Sequence, residues 1–266
     1  MTPSPDDQAR RPSRPVPPPV TSRRALLTAL GIGAIPAVAG CTGAAQVPAV
    51  EAPEGETATS SPATQPDTTS MDGRTVDPRF GYVGANGEDP PVEPDHTVTL
   101  MTRPRRDAPI PEFYFEPTGL AVEVGDTVQF DMATPHHNVN AYHPALGYTQ
   151  RVPDRTPAYS SPILAAGEYW LWTFNNEGVH NIMCAPHELF GMVGTVVVGS
   201  ATGPGATPVG EGPTSSEHAR SPEFTAALVL SDPAMSPENI AETETVSWDD
   251  LARESKRLLL APVRES

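Results

Sequence analysis

The chain has 266 residues, with 33 acidic against 17 basic side chains, a formal net charge of -16, 33 Pro and two Cys. So acidic a balance argues against nucleic-acid binding, which requires a basic face. Two Cys provide no disulfide framework, so a folded part of this chain must hold itself together by burial.

Residues 1–40 read as a targeting segment rather than part of a fold. A Pro- and Arg-rich start leads into S-R-R-A-L-L, an apolar run and then V-A-G-C. Arg23 and Arg24 resemble a twin-arginine export signal, and Val38 to Cys41 a lipobox, after which Cys41 becomes a lipidated N-terminus. The apolar run is shorter than the ~20 residues a membrane span needs, which favours cleavage over an uncleaved anchor. The expected location is the outer face of the cell membrane, held by a lipid anchor. Without this segment, with its five Arg and two Asp, 12 basic residues face 31 acidic ones, and Lys256 is the only lysine. That surface resembles exported proteins of salt-loving archaea, where salt screens self-repulsion.

Residues 41–94 are rich in Ala, Pro, Thr and Glu, bury too little apolar surface to offset their ordering, and are expected to be a flexible tether. The stretch D-P-R-F-G-Y-V-G at 77–84 is the exception, since Phe80, Tyr82 and Val83 are suited to docking. From 95 to 199 the composition changes to short β runs at 96–101, 112–115, 120–124, 128–132, 138–142, 168–174, 178–183 and 194–198. Their spacing and turn signals such as Val124-Gly125-Asp126 predict an all-β, antiparallel Greek-key sandwich. Residues 145–164 read as irregular, wrapping an edge or holding a short helix. Trp170, Trp172 and Phe174 alternate and are expected on one face. Residues 200–222 read as a linker. In the extension 223–266, 224–230 looks strand-like, and Ser247 with Asp250 signals a cap before a helix at 251–260. This extension is too small to hold a core, so it either docks on the sandwich or contacts a partner.

The chemistry concentrates in E-G-V-H-N-I-M-C-A-P-H-E-L-F-G-M-V-G-T-V-V-V-G, residues 177–199. Pro186 and Gly191 exclude a helix here, which leaves a strand, a tight loop and a second strand. The loop carries Cys184, His187 and Met192. Thiolate and thioether beside imidazole suit copper, and His₂Cys with a weak axial Met is the ligand set of blue-copper sites. Zinc is the chemical rival, but it takes carboxylate rather than thioether. A second His must come from another strand; His137 is the choice, with Asn138 and Val139 after it. His136 adjoins it on what reads as one strand and so points to the opposite face. His143 and His180 are taken as structural or exposed.

P-H-H-N-V followed by C-A-P-H-E-L-F-G-M-V-G-T-V-V-V resembles the plastocyanin, pseudoazurin and halocyanin branch of the cupredoxins, over residues 95–199. The resemblance implies one type I copper per chain held by His137, Cys184, His187 and Met192. It also implies that the Asn138 backbone N–H donates to the Cys184 sulfur. The implied function is one-electron transfer between membrane or extracellular redox proteins by a monomer that is not an enzyme. Electrons would pass through the edge of His187, with Pro186, Leu189 and Phe190 as the docking surface and Glu188 as an acidic rim. A copper-trafficking or copper-binding surface protein is the alternative.

Overall fold

The computed structural model describes residues 75–106, 108–211 and 219–259. Arg23, Arg24 and Cys41, with the rest of the expected signal, lie outside the described residues.

Two five-stranded sheets face each other. The first has the order β1-β7-β5-β2-β3, formed by β1 (Tyr82–Ala85), β2 (His96–Arg103), β3 (Glu112–Glu116), β5 (Thr127–Met132) and β7 (Glu168–Thr173). The second has the order β10-β4-β9-β8-β6, formed by β4 (Gly119–Val122), β6 (Asn140–Ala141), β8 (Gly178–Met183), β9 (Val193–Val198) and β10 (Thr245–Val246). The expected sandwich is present, with one refinement. Each sheet contains a parallel pair, β2 with β5 and β4 with β9, while the other pairings are antiparallel. All eight expected strands occur, although 138–142 contracts to β6.

Alternation along the strands builds the central core. Val98 and Leu100 of β2, Val128, Phe130 and Met132 of β5, and Trp170 and Trp172 of β7 meet Ile182 of β8 and Val196 and Val198 of β9. The Trp170 and Trp172 rings stack with centroids 5.3 Å apart. Of the irregular stretch 145–164, Tyr159 packs inward against Trp172 at 4.5 Å, and a 3-10 turn spans Pro144–Leu146.

The domain is wider than residues 95–199. Within the expected tether, β1 pairs with β7 as an edge strand, and Val76 and Val92 cover Tyr169 and Leu171. Gly81 permits this contact. It has φ +69°, and a Cβ there would lie 2.4 Å from the Trp170 indole nitrogen, whose N–H donates to the Phe80 carbonyl. In the expected linker, the buried Arg151 guanidinium donates to the carbonyls of Gly205 and Thr207 as well as to Asn181, which fastens this stretch to the second sheet.

The extension docks on the sandwich. Residues 224–230 form a helix, α1 (Phe224–Leu230), rather than a strand, with Thr225, Ala226 and Val229 buried together on one face. With α2 (Pro237–Thr243) and Trp248 they cover Val179, Met183, Val193 and Val197 on the outer face of the second sheet. The Ser247–Asp250 capping box exists, but it caps only a 3-10 turn at Trp248–Asp250. The expected helix at 251–260 is not formed over the described residues to 259. Its backbone groups go elsewhere: Arg105 takes the Lys256 carbonyl and the Leu259 N–H donates to Thr225.

Candidate metal centre

β8 delivers Cys184 into the space between the sheets. On this strand His180 and Ile182 point inward, and Cys184 continues their face. The chain then folds into a tight loop, closed by hydrogen bonds from Cys184 N to Met192 O (3.0 Å), His187 N to Cys184 O (3.0 Å) and Met192 N to His187 O (3.2 Å). A 3-10 turn at Glu188–Phe190 ends at Gly191, whose φ of +90° makes glycine the suitable residue. Met192 is wholly buried and joins Cys184 in the core cluster.

His137 arrives from the link between β5 and β6. His136 adopts φ +69° and remains exposed, so it is a turn residue rather than the opposite face of a strand. The chain then bridges to Leu164, and the fully buried His137 turns inward. Its Nδ1 lies 3.1 Å from His187 Nδ1 and 3.7 Å from Cys184 Sγ, and Sγ lies 3.4 Å from His187 Nδ1. A triangle with these sides has a circumradius of about 2.0 Å, close to ordinary metal–nitrogen and metal–thiolate bond lengths. His137, Cys184 and His187 thus form a group able to hold a metal ion.

The surroundings hold these donors in place. His137 Nε2 lies 2.8 Å from the Thr134 hydroxyl and 3.2 Å from that of Thr102, which leaves Nδ1 facing the other donors. The Asn138 N–H donates to Cys184 Sγ at 3.5 Å. Its side-chain carbonyl accepts from Ala185 N and from Asn140, tying the His137 segment to the Cys184 loop. Phe113 of β3 lies flat against the His187 ring, with centroids 4.1 Å apart and planes within 10°. Burial pushes the Cys184 thiol up to about 11, although hydrogen bonds from Asn138 and His187 work the other way. Burial, followed by the fields of His187 and His136, lowers His137 to about 4; burial also lowers His187. Both imidazoles therefore keep their lone pairs at neutral pH, and a bound cation displaces a proton from the thiol.

Of the expected docking residues, Pro186 is exposed, Leu189 is 46% exposed and Phe190 is partly buried. Glu188 is a correction. It is only 2% exposed, and its carboxylate turns inward to Tyr142, Arg220 and the Glu223 N–H, so it is not an acidic rim. His143 is partly exposed and caps the turn at Pro144–Leu146. His180 is buried, with its Nε2 on the Asn176 carbonyl. Sequence reading missed Thr102, Thr134 and Phe113. Thr134, three residues before His137 and next to the strand-breaking Pro135, was the one with a local signal.

A thiol and two imidazoles converging at the end of a β-sandwich, beside a loop that also carries Met192, form a candidate site for one soft metal ion. The sequence profile of copper-binding proteins of the plastocyanin/azurin family matches residues 106–199. Plastocyanin from Prochlorothrix hollandica is 34% identical over 106 residues, which covers 38% of this chain and 72% of that protein. Pseudoazurin from Paracoccus pantotrophus is 30% identical over 106 residues, covering 40% of this chain and 64% of the relative, just under two thirds of its length. Among solved structures, a Sinorhizobium pseudoazurin matches at 23% identity with a TM-score of 0.37, covering 56% of this chain and 95% of that one. The chain belongs to the plastocyanin/azurin family of copper-binding proteins. Its cofactor is copper, which suits a thiol and two imidazoles that converge, with a buried methionine on the same loop.

Proposed function

We propose that this protein is a one-electron carrier whose copper is held by His137, Cys184, His187 and Met192. The observation that carries the reading is the convergence of Cys184 Sγ with two imidazole Nδ1 atoms at 3.1 to 3.7 Å. Copper, when bound, supplies a one-electron Cu(I)/Cu(II) couple. The chain's part is to keep the donors in one arrangement in both states. The Thr134 and Thr102 hydroxyls fix the His137 ring, the Asn138 N–H steadies the sulfur, and the short loop fixes the spacing of Cys184, His187 and Met192.

Electrons enter and leave through the edge of His187, between exposed Pro186 and Leu189 and partly buried Phe190. Small apolar interfaces suit brief redox encounters. The partners in this reading are membrane or extracellular redox proteins. Residues 1–40 form the export signal with Arg23 and Arg24. Cys41 carries the lipid that holds a monomer on the outer face of the membrane, and the acidic surface suits the salty surroundings of halocyanin-like proteins. The reading is of a carrier rather than an enzyme.

Absorption spectra test the ligand set. Copper-loaded protein should be blue or green, and Cys184→Ser should be colourless. His137→Ala should lose or greatly alter the colour, whereas His136→Ala should keep it. A wild type that binds only zinc in a copper-replete preparation sinks the assignment. Reversible voltammetry together with fast exchange with a redox partner separates a carrier from a copper-trafficking protein. Leu189→Glu should slow that exchange while leaving the spectrum nearly unchanged.

A further inference from the structure

The feature that neither the fold nor the donor set explains is a buried carboxylate inside the metal loop. Glu188 sits between His187 and Met192 with its side chain 3% exposed. One oxygen accepts from the Tyr142 hydroxyl at 2.7 Å and the Glu223 N–H at 3.2 Å, and the other from Arg220 at 2.6 Å. Arg220 is itself fixed. Its second amine meets Glu223 at 2.5 Å, its guanidinium lies 4.7 Å from the Tyr148 ring centroid, and its backbone bonds to Gly147 and Thr149. Glu188 is thus the joint between three parts: the metal loop, the sandwich at Tyr142 to Thr149, and the start of α1.

The same helix presses on the far end of the loop. A Cβ on Gly191 would lie 3.1 Å from the Thr225 methyl and 3.4 Å from a Val229 methyl. The bridge between His187 and Met192 is therefore held from outside at both Glu188 and Gly191. Only the carboxylate is buried, since the Arg220 side chain is 42% exposed; taking a carboxylate out of water costs much of what its pairing returns, which makes the pair a better device for fixing an arrangement than for adding stability. The two holding points bracket the segment whose position sets the His187-to-Met192 spacing.

We propose that Arg220 and the C-terminal extension that follows it together brace the metal loop, and that Glu188 is the positioning residue through which they act. The inference rests on the ligand assignment above. Without the brace the loop keeps its donors but samples more arrangements, so copper is held less tightly and its coordination is less uniform.

The test uses the full chain loaded with copper. Glu188→Gln preserves size and the capacity to accept from Tyr142 and Glu223, and removes the charge that Arg220 pairs with. The expected result is copper loss to a chelator about tenfold faster, the lower end of the range for losing a partner around a metal ligand. Shifted relative intensities of the thiolate bands and broadened electron paramagnetic resonance lines should accompany it. Thr225→Ser keeps the hydroxyl bond to Leu259 and removes only the methyl over Gly191, and it should give a smaller change of the same kind. This second variant carries the test should Glu188→Gln fold poorly. Unchanged spectra and copper-release rates in both folded variants, with only a lowered melting temperature, would overturn the proposal and leave Glu188 a plain structural anchor. Failure of the ligand assignment would look different, as a wild type without the thiolate bands.

Discussion

The two sheets of this sandwich differ in what their outer faces meet. In the first, β2 and β5 alternate, with Val98, Leu100, Val128 and Phe130 inward and Thr97, Thr99, Gln129 and Asp131 outward. In the second, every residue of β8 and β9 is buried. One face of these strands meets the opposite sheet, and the other lies under α1, α2 and Trp248. The metal loop joins β8 to β9, so it hangs from the sheet that is covered on both sides. A loop with three candidate ligands gains from such a support, because packed strands have fewer ways to shift than a half-solvated edge.

The largest expected effect contrasts the two outer faces directly. Val197, 2% exposed beneath the extension, changed to Asp places an unpaired charge in an apolar layer and should abolish folding or cost several kcal/mol. The same Asp in place of exposed Thr97 should stay within about 0.5 kcal/mol of wild type. Urea unfolding of both variants checks this; equal effects would mean that the extension does not cover the second sheet. Next comes Trp248→Ala. It removes a fully packed indole stacked on Tyr114 at 5.3 Å and should cost about 3–5 kcal/mol. A change near zero would show a loosely held cover.

A smaller effect belongs to the His137 side of the site. Thr134→Val keeps the shape of the side chain but removes the nearer hydroxyl on His137 Nε2, leaving Thr102 at 3.2 Å. Copper affinity should fall about tenfold with little change in melting temperature of the metal-free protein. Isothermal titration checks the first and calorimetry the second. A large stability loss with unchanged affinity would make Thr134 a packing residue.

This contrast between the sheets also explains what could be read from the sequence. The strands were legible because alternation and turn residues are local signals, and the donor set was legible because Cys184, His187 and Met192 lie within nine residues of one another. The helix at 224–230 was not. F-T-A-A-L-V-L is compatible with either period, and only contact with β9 and the metal loop decides between them. The cover itself leaves a trace in the sequence. V-G-T-V-V-V shows no alternation, which is how a strand buried on both faces reads. Glu188 could not be placed, because the cation that draws it inward lies 32 residues away at Arg220.

The smallest expected effect concerns His180, whose imidazole points from the covered sheet into the central core, 5.1 Å from the Phe174 ring and 1% exposed. Its Nε2–H donates to the Asn176 carbonyl at 2.8 Å, and its Nδ1 has no hydrogen-bond partner among the described residues. Burial is the main cause that lowers it from 6.5 to about 4, against a smaller opposite effect of the Asn176 bond. The sign follows from where each state takes up its proton. The unfolded chain protonates His180 near 6.5 and the folded chain only near 4, so between these values the unfolded state binds more protons. The contribution of neutral His180 is therefore present above the upper value and is lost as pH falls toward the lower one. The slope is at most one proton, or about 1.4 kcal/mol per pH unit. His180→Gln keeps a donor for Asn176 but does not titrate, so its stability should fall less steeply between pH 6.5 and 4, whatever its stability at pH 7. The comparison is made on metal-free protein by urea unfolding, where His137 and His187 contribute the same acid loss to both chains and cancel. Identical slopes would mean that water reaches the unpartnered Nδ1 and lets His180 charge inside the fold. The core behind the metal loop would then be wetter than the packing of Tyr159, Phe174 and Trp172 implies.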